Sequence, residues 1–163
     1  MVNTQPAVLV RVARVQDLPA VADLWEELMD YHLRLDARYE RSTGSREVFL
    51  RHLKSTAMRS PDHMLWIAES ERAIAGFLAA RVEYGGAVFA HPDFGYITDA
   101  CVSPSYRRLG VGRRLFAEAR AWFETRHLKS IRVSVSTDNP AAMAFWREVG
   151  FRPFMERLWY DLG

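Results

Sequence analysis

The sequence is poor in cysteine and has no long apolar run. Cys101 is the only cysteine among its 163 residues, so the chain cannot close a disulfide within itself, which suits a reducing cytoplasm. No apolar stretch approaches the about 20 residues that a membrane-spanning helix needs, and the first residues do not show the pattern of a secretory signal. These absences predict a cytoplasmic protein that acts without a membrane.

Charge of one sign is also scarce. The formal net charge is only +2, with 22 basic and 20 acidic residues, which is too weak a field to favour nucleic acid as a partner. No spacing of His, Cys and Asp side chains indicates a metal site. With 49% hydrophobic and 26% charged residues, and without linkers or repeats, the composition predicts one globular domain over 1–163.

Apolar periodicity predicts a succession of strands and helices. Strands are predicted at 8–13, 64–69, 73–82, 96–102 and 130–136, with one or two more between 151 and 161. Helices are predicted to begin at Asp17-Leu18-Pro19 with Asp17 as N-cap, to include Leu50, Leu53 and Ala57, to run from 110 to about 126, and to follow Asp138-Asn139-Pro140. The second and third strands should form a hairpin that turns near Ser70, Glu71 and Arg72. This order indicates an α/β fold with a mixed sheet.

The most informative local pattern is a turn of arginines and glycines between a strand and a helix. Arg107, Arg108, Gly110 and Gly112 follow the 96–102 strand and open the next helix. Backbone N–H groups at a helix N-terminus lack intrahelical partners, glycine lets an anion approach them, and arginine suits phosphate oxygens. The pattern therefore predicts a pyrophosphate site. The alternatives are a solvated basic surface and a nucleic-acid patch.

Two common phosphate motifs do not fit this turn. A Gly-x-x-x-x-Gly-Lys-Ser/Thr loop needs a lysine and a hydroxyl where Arg113 and Arg114 stand, and the dinucleotide fingerprint needs a third glycine. What remains, Arg107-x-x-Gly110-x-Gly112, resembles the coenzyme A signature of the GNAT-type N-acetyltransferases. The segment from Asn139 to Phe151 resembles a second motif of that family, in the expected order.

The resemblance implies a mixed sheet of six to seven strands flanked by about four helices. It also implies transfer of an acetyl group from acetyl-CoA to a primary amine of a small molecule or a peptide, by direct attack and without a covalent enzyme intermediate. The strands 96–102 and 130–136 should splay apart around the pantetheine arm. The cofactor-binding residues that the resemblance implies are Cys101, Val102, Arg107, Arg108, Leu109, Gly110, Val111, Gly112, Arg113, Asn139 and Trp146.

Two questions stay open beside this interpretation. The alternative function is a non-catalytic, regulatory module that binds coenzyme A. A homodimer is compatible with such a fold, although no residue of the sequence requires one.

Three residues are candidates for the chemistry on the acceptor amine. Asp99 is a carboxylate in an otherwise apolar strand, where burial without a partner is costly. In similar acetyltransferases an acid on this strand binds or deprotonates the amine, whereas the alternative is a structural contact with an arginine or a backbone N–H. Tyr96 and Glu83 are the further candidates.

Trp146 departs from the family pattern, because a tyrosine that protonates the leaving thiolate often stands there. An indole N–H is not a useful acid near neutral pH. Trp146 is therefore expected to line the pocket or the core, and Tyr96, Tyr84 or water would protonate the thiolate. Asp138 or Asn139 is expected to cap the last helix, and the resemblance implies that Asn139 also binds the pantetheine arm. Cys101 is expected to be a buried small apolar residue, since no histidine is placed beside it to make it a nucleophile.

Overall fold

The computed structural model describes residues 7–71 and 73–162. Within them one sheet contains five strands, which lie side by side in chain order: β1 (Val8–Val12), β2 (His63–Ser70), β3 (Ile74–Glu83), β4 (Phe94–Val102) and β5 (Ile131–Val133). The helices are α1 (Leu18–Leu35), α2 (Ser45–Ser55), α3 (Val111–Thr125) and α4 (Pro140–Glu148). Short 3-10 turns lie at Val15–Asp17, Ala37–Tyr39 and Pro104–Tyr106.

The sheet is mixed, as predicted. β1 to β4 pair antiparallel, and β5 lies parallel to β4 after the α3 crossover. The predicted hairpin is confirmed, since β2 and β3 pair along most of their length. Arg72 of its predicted turn lies outside the described residues.

The prediction of six to seven strands is wrong for the described residues. Five strands are present there, β5 covers only the middle of the predicted 130–136 strand, and residues 151–162 form none. A strand is held by hydrogen bonds to a neighbouring strand, and pairing with β4 does not continue after Val133. The four helices and the order of the elements otherwise agree with the prediction, except that α2 ends at Ser55 and does not include Ala57.

Helices cover both faces of the sheet. α1 and α2 pack on one face, and α3 and α4 pack on the other. Side chains of β2 alternate between these faces, because Leu65 and Ile67 face α1 and α2 whereas Trp66 and Ala68 face α3 and α4. All four are buried, since helices cover both faces. No helix among the described residues is long and apolar enough to span a membrane.

Asp17 does not cap α1, contrary to the prediction. α1 begins at Leu18 with Pro19 in its first turn, as expected, but the Asp17 side chain makes no capping hydrogen bond. Its carboxylate accepts a hydrogen bond from the Arg14 backbone N–H at 2.7 Å and two from the Arg11 guanidinium, at 2.8 and 3.0 Å. Arg11 holds the pKa of Asp17 below its usual range. The buried carboxylate therefore joins β1 to the start of α1, since its burial requires a charged partner.

β4 lies close against α3 at Gly95. A Cβ atom built at this position would lie 2.7 Å from the Phe123 ring. Phe123 is only 1% exposed, so the surrounding core leaves its ring little room to move. The glycine is therefore needed for the contact between the strand that carries the candidate site and the helix that follows it.

Gly95→Ala is expected to destabilise the fold by about 1–3 kcal/mol, because the added methyl group overpacks a closed core. Gly86→Ala is the matched control, since a Cβ atom there would meet only Val88 Cγ2, at 3.9 Å. Urea denaturation of both variants measures the difference. Equal unfolding midpoints would show that the core adjusts around Phe123.

Candidate active site

A β-bulge in β4 decides which way the candidate catalytic residues face. Ala79 lies opposite Asp99 and Ala80 lies opposite Ile97, so the residue between them, Thr98, has no counterpart on β3. Side chains alternate between the two faces of a sheet, and one extra residue inverts that alternation. Ile97 consequently packs with α3 and α4, whereas Cys101 and Asp99 lie on the face that α1 and α2 cover.

Asp99 lies between the sheet and the first two helices. Trp25 and His32 of α1 and His52 of α2 are near enough to influence its ionisation. Burial raises the pKa of Asp99, while hydrogen bonding from Thr98 and Trp25 and the nearby His52 and His32 act in the opposite direction. No arginine forms an ion pair with Asp99 in the described part of the chain. The carboxylate is thus a stronger proton acceptor than an exposed aspartate.

His32 is a candidate that the sequence reasoning missed. Its Nδ1 is buried and has no hydrogen-bond partner among residues 7–71 and 73–162. Burial lowers the pKa of His32, and Asp99 acts in the opposite direction. A neutral imidazole with a free nitrogen can accept a proton. A signal was present in the sequence, because His32 continues the helix stripe of Trp25 and Leu28 at the spacing of one α-helical face.

Tyr96 and Glu83 lie on the same face of the sheet as Asp99. The Tyr96 ring lies under the Arg81 guanidinium, 5.4 Å from its centroid, and its hydroxyl donates to Ser134 Oγ at 2.8 Å. Glu83 accepts a hydrogen bond from Arg81 Nε at 2.7 Å. Glu83 ends β3, roughly 13 Å along the strand from the level of Asp99. The structure therefore brings Tyr96 closer to Asp99 and leaves Glu83 at the end of the sheet.

β4 and β5 separate part-way along β4. Their pairing runs from Gly95 with Ile131 to Ile97 with Val133. Residues 98–102 have no strand beside them on that edge within the described residues. The predicted splaying of the two strands is thus confirmed. Alternate backbone N–H and C=O groups of this stretch face the gap and can pair with an extended, amide-containing ligand.

The turn after β4 gathers backbone N–H groups at the start of α3. The 3-10 turn before it is held by Tyr106, whose hydroxyl lies 2.8 Å from Ser70 Oγ. Arg108 and Gly110 have left-handed backbones, with φ of +65° and +76°. No side-chain hydrogen bond caps α3 among the described residues, so the N–H groups of 111–113 have no intrahelical partner. Left-handed residues beside such groups form anion-binding concavities, which fits the predicted pyrophosphate site.

The arginines of the turn differ in their contacts. Arg107 Nε donates to the Val102 carbonyl oxygen at 3.0 Å, which holds the guanidinium beside the end of β4. Arg108 is exposed, and its left-handed backbone costs roughly 1–2 kcal/mol. Arg113, predicted to bind the cofactor, already forms an ion pair with Glu148 of α4. Of the three, only Arg113 has its guanidinium in an ion pair among the described residues.

Leu109 and Val111 can contribute to the turn only through their backbones. Val111 is 2% exposed, and Leu109 packs against the same core cluster between the sheet and α3. Their apolar side chains thus fix the start of α3 to the core, while the backbone of the turn stays at the surface.

Gly110 and Gly112 serve different needs. A Cβ atom at Gly110 would meet nothing within 4 Å, so this glycine permits the positive φ and leaves open space before the helix. A Cβ atom at Gly112 would lie 3.1 Å from the Phe145 ring. The expectation that both glycines admit phosphate therefore fits Gly110, whereas Gly112 is explained by the close packing of α3 on α4.

Two of the predicted cofactor ligands have structural roles. Asn139 Oδ1 accepts a hydrogen bond from the Ala142 backbone N–H at 3.0 Å, which confirms the predicted cap of α4. Trp146 is 7% exposed and packs in a cluster of aromatic rings, with Phe116, Phe145 and Phe151. The prediction that Trp146 binds the cofactor is not supported, because its side chain belongs to the core.

Cys101 is a buried thiol, as predicted. Burial raises its pKa to about 11, so it is not a thiolate nucleophile near neutral pH. Tyr84, the other tyrosine considered as an acid, is 65% exposed beyond the end of β3. Within residues 7–71 and 73–162, no group of three or more His, Cys, Asp and Glu side chains is placed to hold a metal ion.

The sequence is similar to proteins of one family. The sequence profile of the acetyltransferase (GNAT) family matches residues 21–151. An N-alpha-acetyltransferase of Sulfurisphaera tokodaii is 26% identical over 109 residues, which cover 64% of this chain and 62% of that protein. The N-alpha-acetyltransferase daf-31 of Caenorhabditis elegans is 32% identical over 84 residues, 50% of this chain and 44% of that protein. The chain thus spans less than two thirds of the length of either relative.

Solved structures share the fold. A mutant of the BH1408 protein from Bacillus halodurans has a TM-score of 0.82 at 22% identity, covering 94% of this chain and 99% of that chain. Aminoglycoside N-acetyltransferase AAC(6')-Iy in complex with CoA has a TM-score of 0.75 at 16% identity, covering 99% of this chain and 98% of that chain. At these identities the similarity shows the fold alone.

The free energy of unfolding of Asp99→Asn is expected to rise relative to that of the wild type as the pH increases. Burial raises the pKa of Asp99 in the folded state, so the wild type loses stability from the unfolded pKa of about 3.9 up to the raised folded value. The amide cannot ionise and lacks this loss. Urea unfolding of both proteins from about pH 4, near the unfolded pKa, up to about pH 8 measures the difference. A stability difference that does not change with pH would contradict the raised pKa.

Proposed function

This chain belongs to the acetyltransferase (GNAT) family, and we propose that it transfers an acetyl group from acetyl-CoA to a primary amine of a small molecule or a peptide. The observation that carries this proposal is the convergence of two features on β4. The strand ends at the anion-binding turn, and it also holds Asp99 against α1 and α2. A phosphate-bearing donor bound at the turn and an amine bound near Asp99 would therefore both lie along β4.

The residues of the turn fit the diphosphate of coenzyme A. The free N–H groups of 111–113, the Arg107 guanidinium and the open space at Gly110 provide the donors and the access that phosphate oxygens require. The bound thioester would supply an acetyl group already activated for transfer. That a fold neighbour has been solved in complex with CoA supports this choice of donor.

The open edge of β4 fits the extended pantetheine arm. Backbone groups of 98–102 that face the gap can bond to the amides of the arm as a neighbouring strand would. We assign to a backbone N–H near Cys101 or Val102 a hydrogen bond to the thioester carbonyl oxygen, where negative charge develops during attack. The gap thereby aligns the acetyl group with the face of the sheet that carries Asp99.

Asp99 is the proposed acceptor of the amine proton. At pH 7 the acceptor amine is protonated, and deprotonating an ammonium group with a pKa of about 10.4 costs roughly 4.6 kcal/mol. The half-buried Asp99 carboxylate and the neutral His32 offer proton acceptors in the space between the sheet and α1. The amine nitrogen bonds to the acetyl carbon, the carbon–sulfur bond breaks, and the amine proton passes to Asp99. The departing thiolate then takes a proton.

Tyr96 is the proposed donor of that proton, with water as the alternative. Its hydroxyl bonds to Ser134, which follows β5, so the side chain bridges the two strands that separate around the gap. A phenol can serve as an acid, unlike the indole of Trp146. Trp146 is in any case buried among phenylalanine rings.

The proposed acceptors are peptide N-terminal amines and small-molecule amines. The curated relatives are named N-alpha-acetyltransferases, and fold neighbours include aminoglycoside acetyltransferases. The proposal places this activity in a single domain, 1–163, in the cytoplasm. Its co-substrate is acetyl-CoA, and it requires no metal.

Gly110→Ala is expected to weaken CoA binding at least about tenfold, because its methyl group would fill the space before the α3 N–H groups. Gly44→Ala is the matched control, since Gly44 precedes α2 with φ of +77°. Both variants carry the same left-handed backbone cost of roughly 1–2 kcal/mol. Isothermal titration calorimetry with CoA compares them. Equal affinities of the two folded variants for CoA would show that the turn does not take part in coenzyme binding.

Asp99→Asn is expected to lower amine acetylation by about 10²–10⁴-fold, the usual contribution of a general base, while CoA affinity stays at the wild-type level. Release of free CoA thiol from acetyl-CoA is measured with a panel of acceptors: a polyamine, an aminoglycoside, an amino acid and a peptide N-terminus. If the variant only raises KM and keeps kcat, Asp99 binds the ammonium and does not take its proton. A wild-type protein that binds CoA and acetylates none of the panel would favour the regulatory module.

A further inference from the structure

A row of side chains crosses the sheet one level beyond Asp99. Each strand from β2 to β5 contributes one residue, and each residue lies opposite the next: His63, Arg81, Tyr96 and Arg132. Ile131 and Val133, on either side of Arg132, pack against the cluster on the α3 and α4 face. Because side chains alternate along a strand, Arg132 lies on the other face of the sheet, which also carries Asp99.

Arg132 is a half-buried arginine without a carboxylate partner. The other half-buried arginines in the described part of the chain each form an ion pair with an Asp or Glu side chain: Arg11, Arg41, Arg46, Arg81 and Arg126. Arg132 forms neither an ion pair nor a hydrogen bond with any residue in 7–71 or 73–162. A charge that is partly removed from water is costly without an opposite charge, so this position fits an anion that a ligand supplies.

Aromatic rings hold the Arg132 guanidinium and leave its N–H groups available. The central carbon of the guanidinium lies 3.6 Å from the Phe94 ring centroid and 5.2 Å from that of Phe154. A guanidinium that stacks on a ring keeps its N–H groups in its own plane, where two of them can bond in parallel to a carboxylate. Glu83, which lies opposite Phe94, is already bound by Arg81. Arg132 is thus held in place to receive a carboxylate from outside the chain.

The distance between Asp99 and Arg132 sets the length of such a ligand. Ala79 marks the level of Asp99 on β3, and Arg81 marks the level of Tyr96 and Arg132. Two residues of a strand span about 7 Å, and β5 lies one strand spacing of about 4.8 Å to the side of β4. The two positions are therefore roughly 8 Å apart along the backbone. A carbon chain of about six bonds covers that distance.

We propose that Arg132 binds a carboxylate of the acceptor, so that the preferred substrates are amines with a carboxylate about six bonds away. This inference rests on the proposed acetyl transfer and names the class of acceptor for it. The amine lies at Asp99, and the carboxylate at the other end accepts two hydrogen bonds from the Arg132 guanidinium. Arg132 thus determines specificity and takes no part in the bond changes.

Two acceptors that differ in charge test the proposal on the wild-type protein. 6-Aminohexanoate and 6-aminohexanamide carry the same amine on the same carbon chain, which ends in a carboxylate or in a neutral amide. Release of free thiol from acetyl-CoA should give a kcat/KM at least about tenfold higher for the carboxylate, as expected for hydrogen bonds to a charged group. 3-Aminopropanoate is too short to reach both residues and should show no such preference over its amide. Equal kcat/KM within the longer pair, or an equal preference within the shorter pair, would overturn the proposal.

Substitution of Arg132 tests whether this residue causes the preference. Arg132→Gln removes the charge and should raise the KM for 6-aminohexanoate at least about tenfold, with kcat little changed because Arg132 touches none of the reacting atoms. Arg132→Lys keeps the charge but loses the two parallel N–H bonds, so it should retain only part of the preference. Arg147→Gln removes an equal charge from the exposed surface of α4 and should keep the full preference.

Circular dichroism checks that each variant is folded. A folded Arg132→Gln protein with the full preference would overturn the proposal. If Arg132→Gln does not fold, the Arg132→Lys protein decides, and a preference equal to that of the wild type would overturn the proposal in the same way.

Binding separates this inference from the proposed function. Isothermal titration calorimetry of both acceptors into protein saturated with CoA needs no turnover, and it should show the same preference for the carboxylate and its loss in Arg132→Gln. A preference in binding without thiol release for any acceptor would support the carboxylate site and contradict acetyl transfer. Thiol release at equal rates with both acceptors would support acetyl transfer and overturn the carboxylate site. Absence of both turnover and a binding preference would overturn both.

Discussion

An extra residue in β4, Thr98, inverts the side-chain alternation of the strand, and the candidate site follows from that inversion. Without it, Asp99 would share the face of Ile97 and enter the apolar core between the sheet and α3, where an unpaired carboxylate costs several kcal/mol. With it, Asp99 lies among the polar groups of α1 and α2. Pairing with β5 also ends at Ile97, the residue before the bulge, so the open edge of β4 begins where the alternation changes.

The two faces of β4 consequently have different chemistry. Apolar and aromatic side chains fill the α3 and α4 face, and they fix the start of α3 so that its N–H groups project at the end of the strand. The α1 and α2 face combines an apolar core with Asp99, His32 and His52. Burial disfavours both charged forms, so it raises the pKa of Asp99 and lowers that of His32. Groups that can accept a proton thus lie on the same strand whose end leads to the free backbone N–H groups of α3.

Much of this arrangement could be predicted from local patterns. The apolar stripe from Val21 to Leu28 predicted α1, and the β-branched runs predicted β1 to β4, because the periods of helix and strand are local properties. The Arg/Gly turn predicted the start of α3 for the same reason, and the anion site there stays a prediction. Strand prediction failed at 151–161, since strand propensity alone does not supply a neighbouring strand. The prediction that Asp17 caps α1 was wrong, because Arg11 of β1 lies close to its carboxylate and donates to it.

The sequence by itself determined the order of the elements, the turn that follows β4 and the presence of one carboxylate in that strand. Only the tertiary structure decided that Asp99 faces α1, that His32 joins it, that Trp146 belongs to the core and that Gly112 serves the packing of α4. The physical reason is that these four outcomes depend on contacts between residues far apart in the chain. A bulge of one residue, or the approach of one ring, changes them without altering any local periodicity.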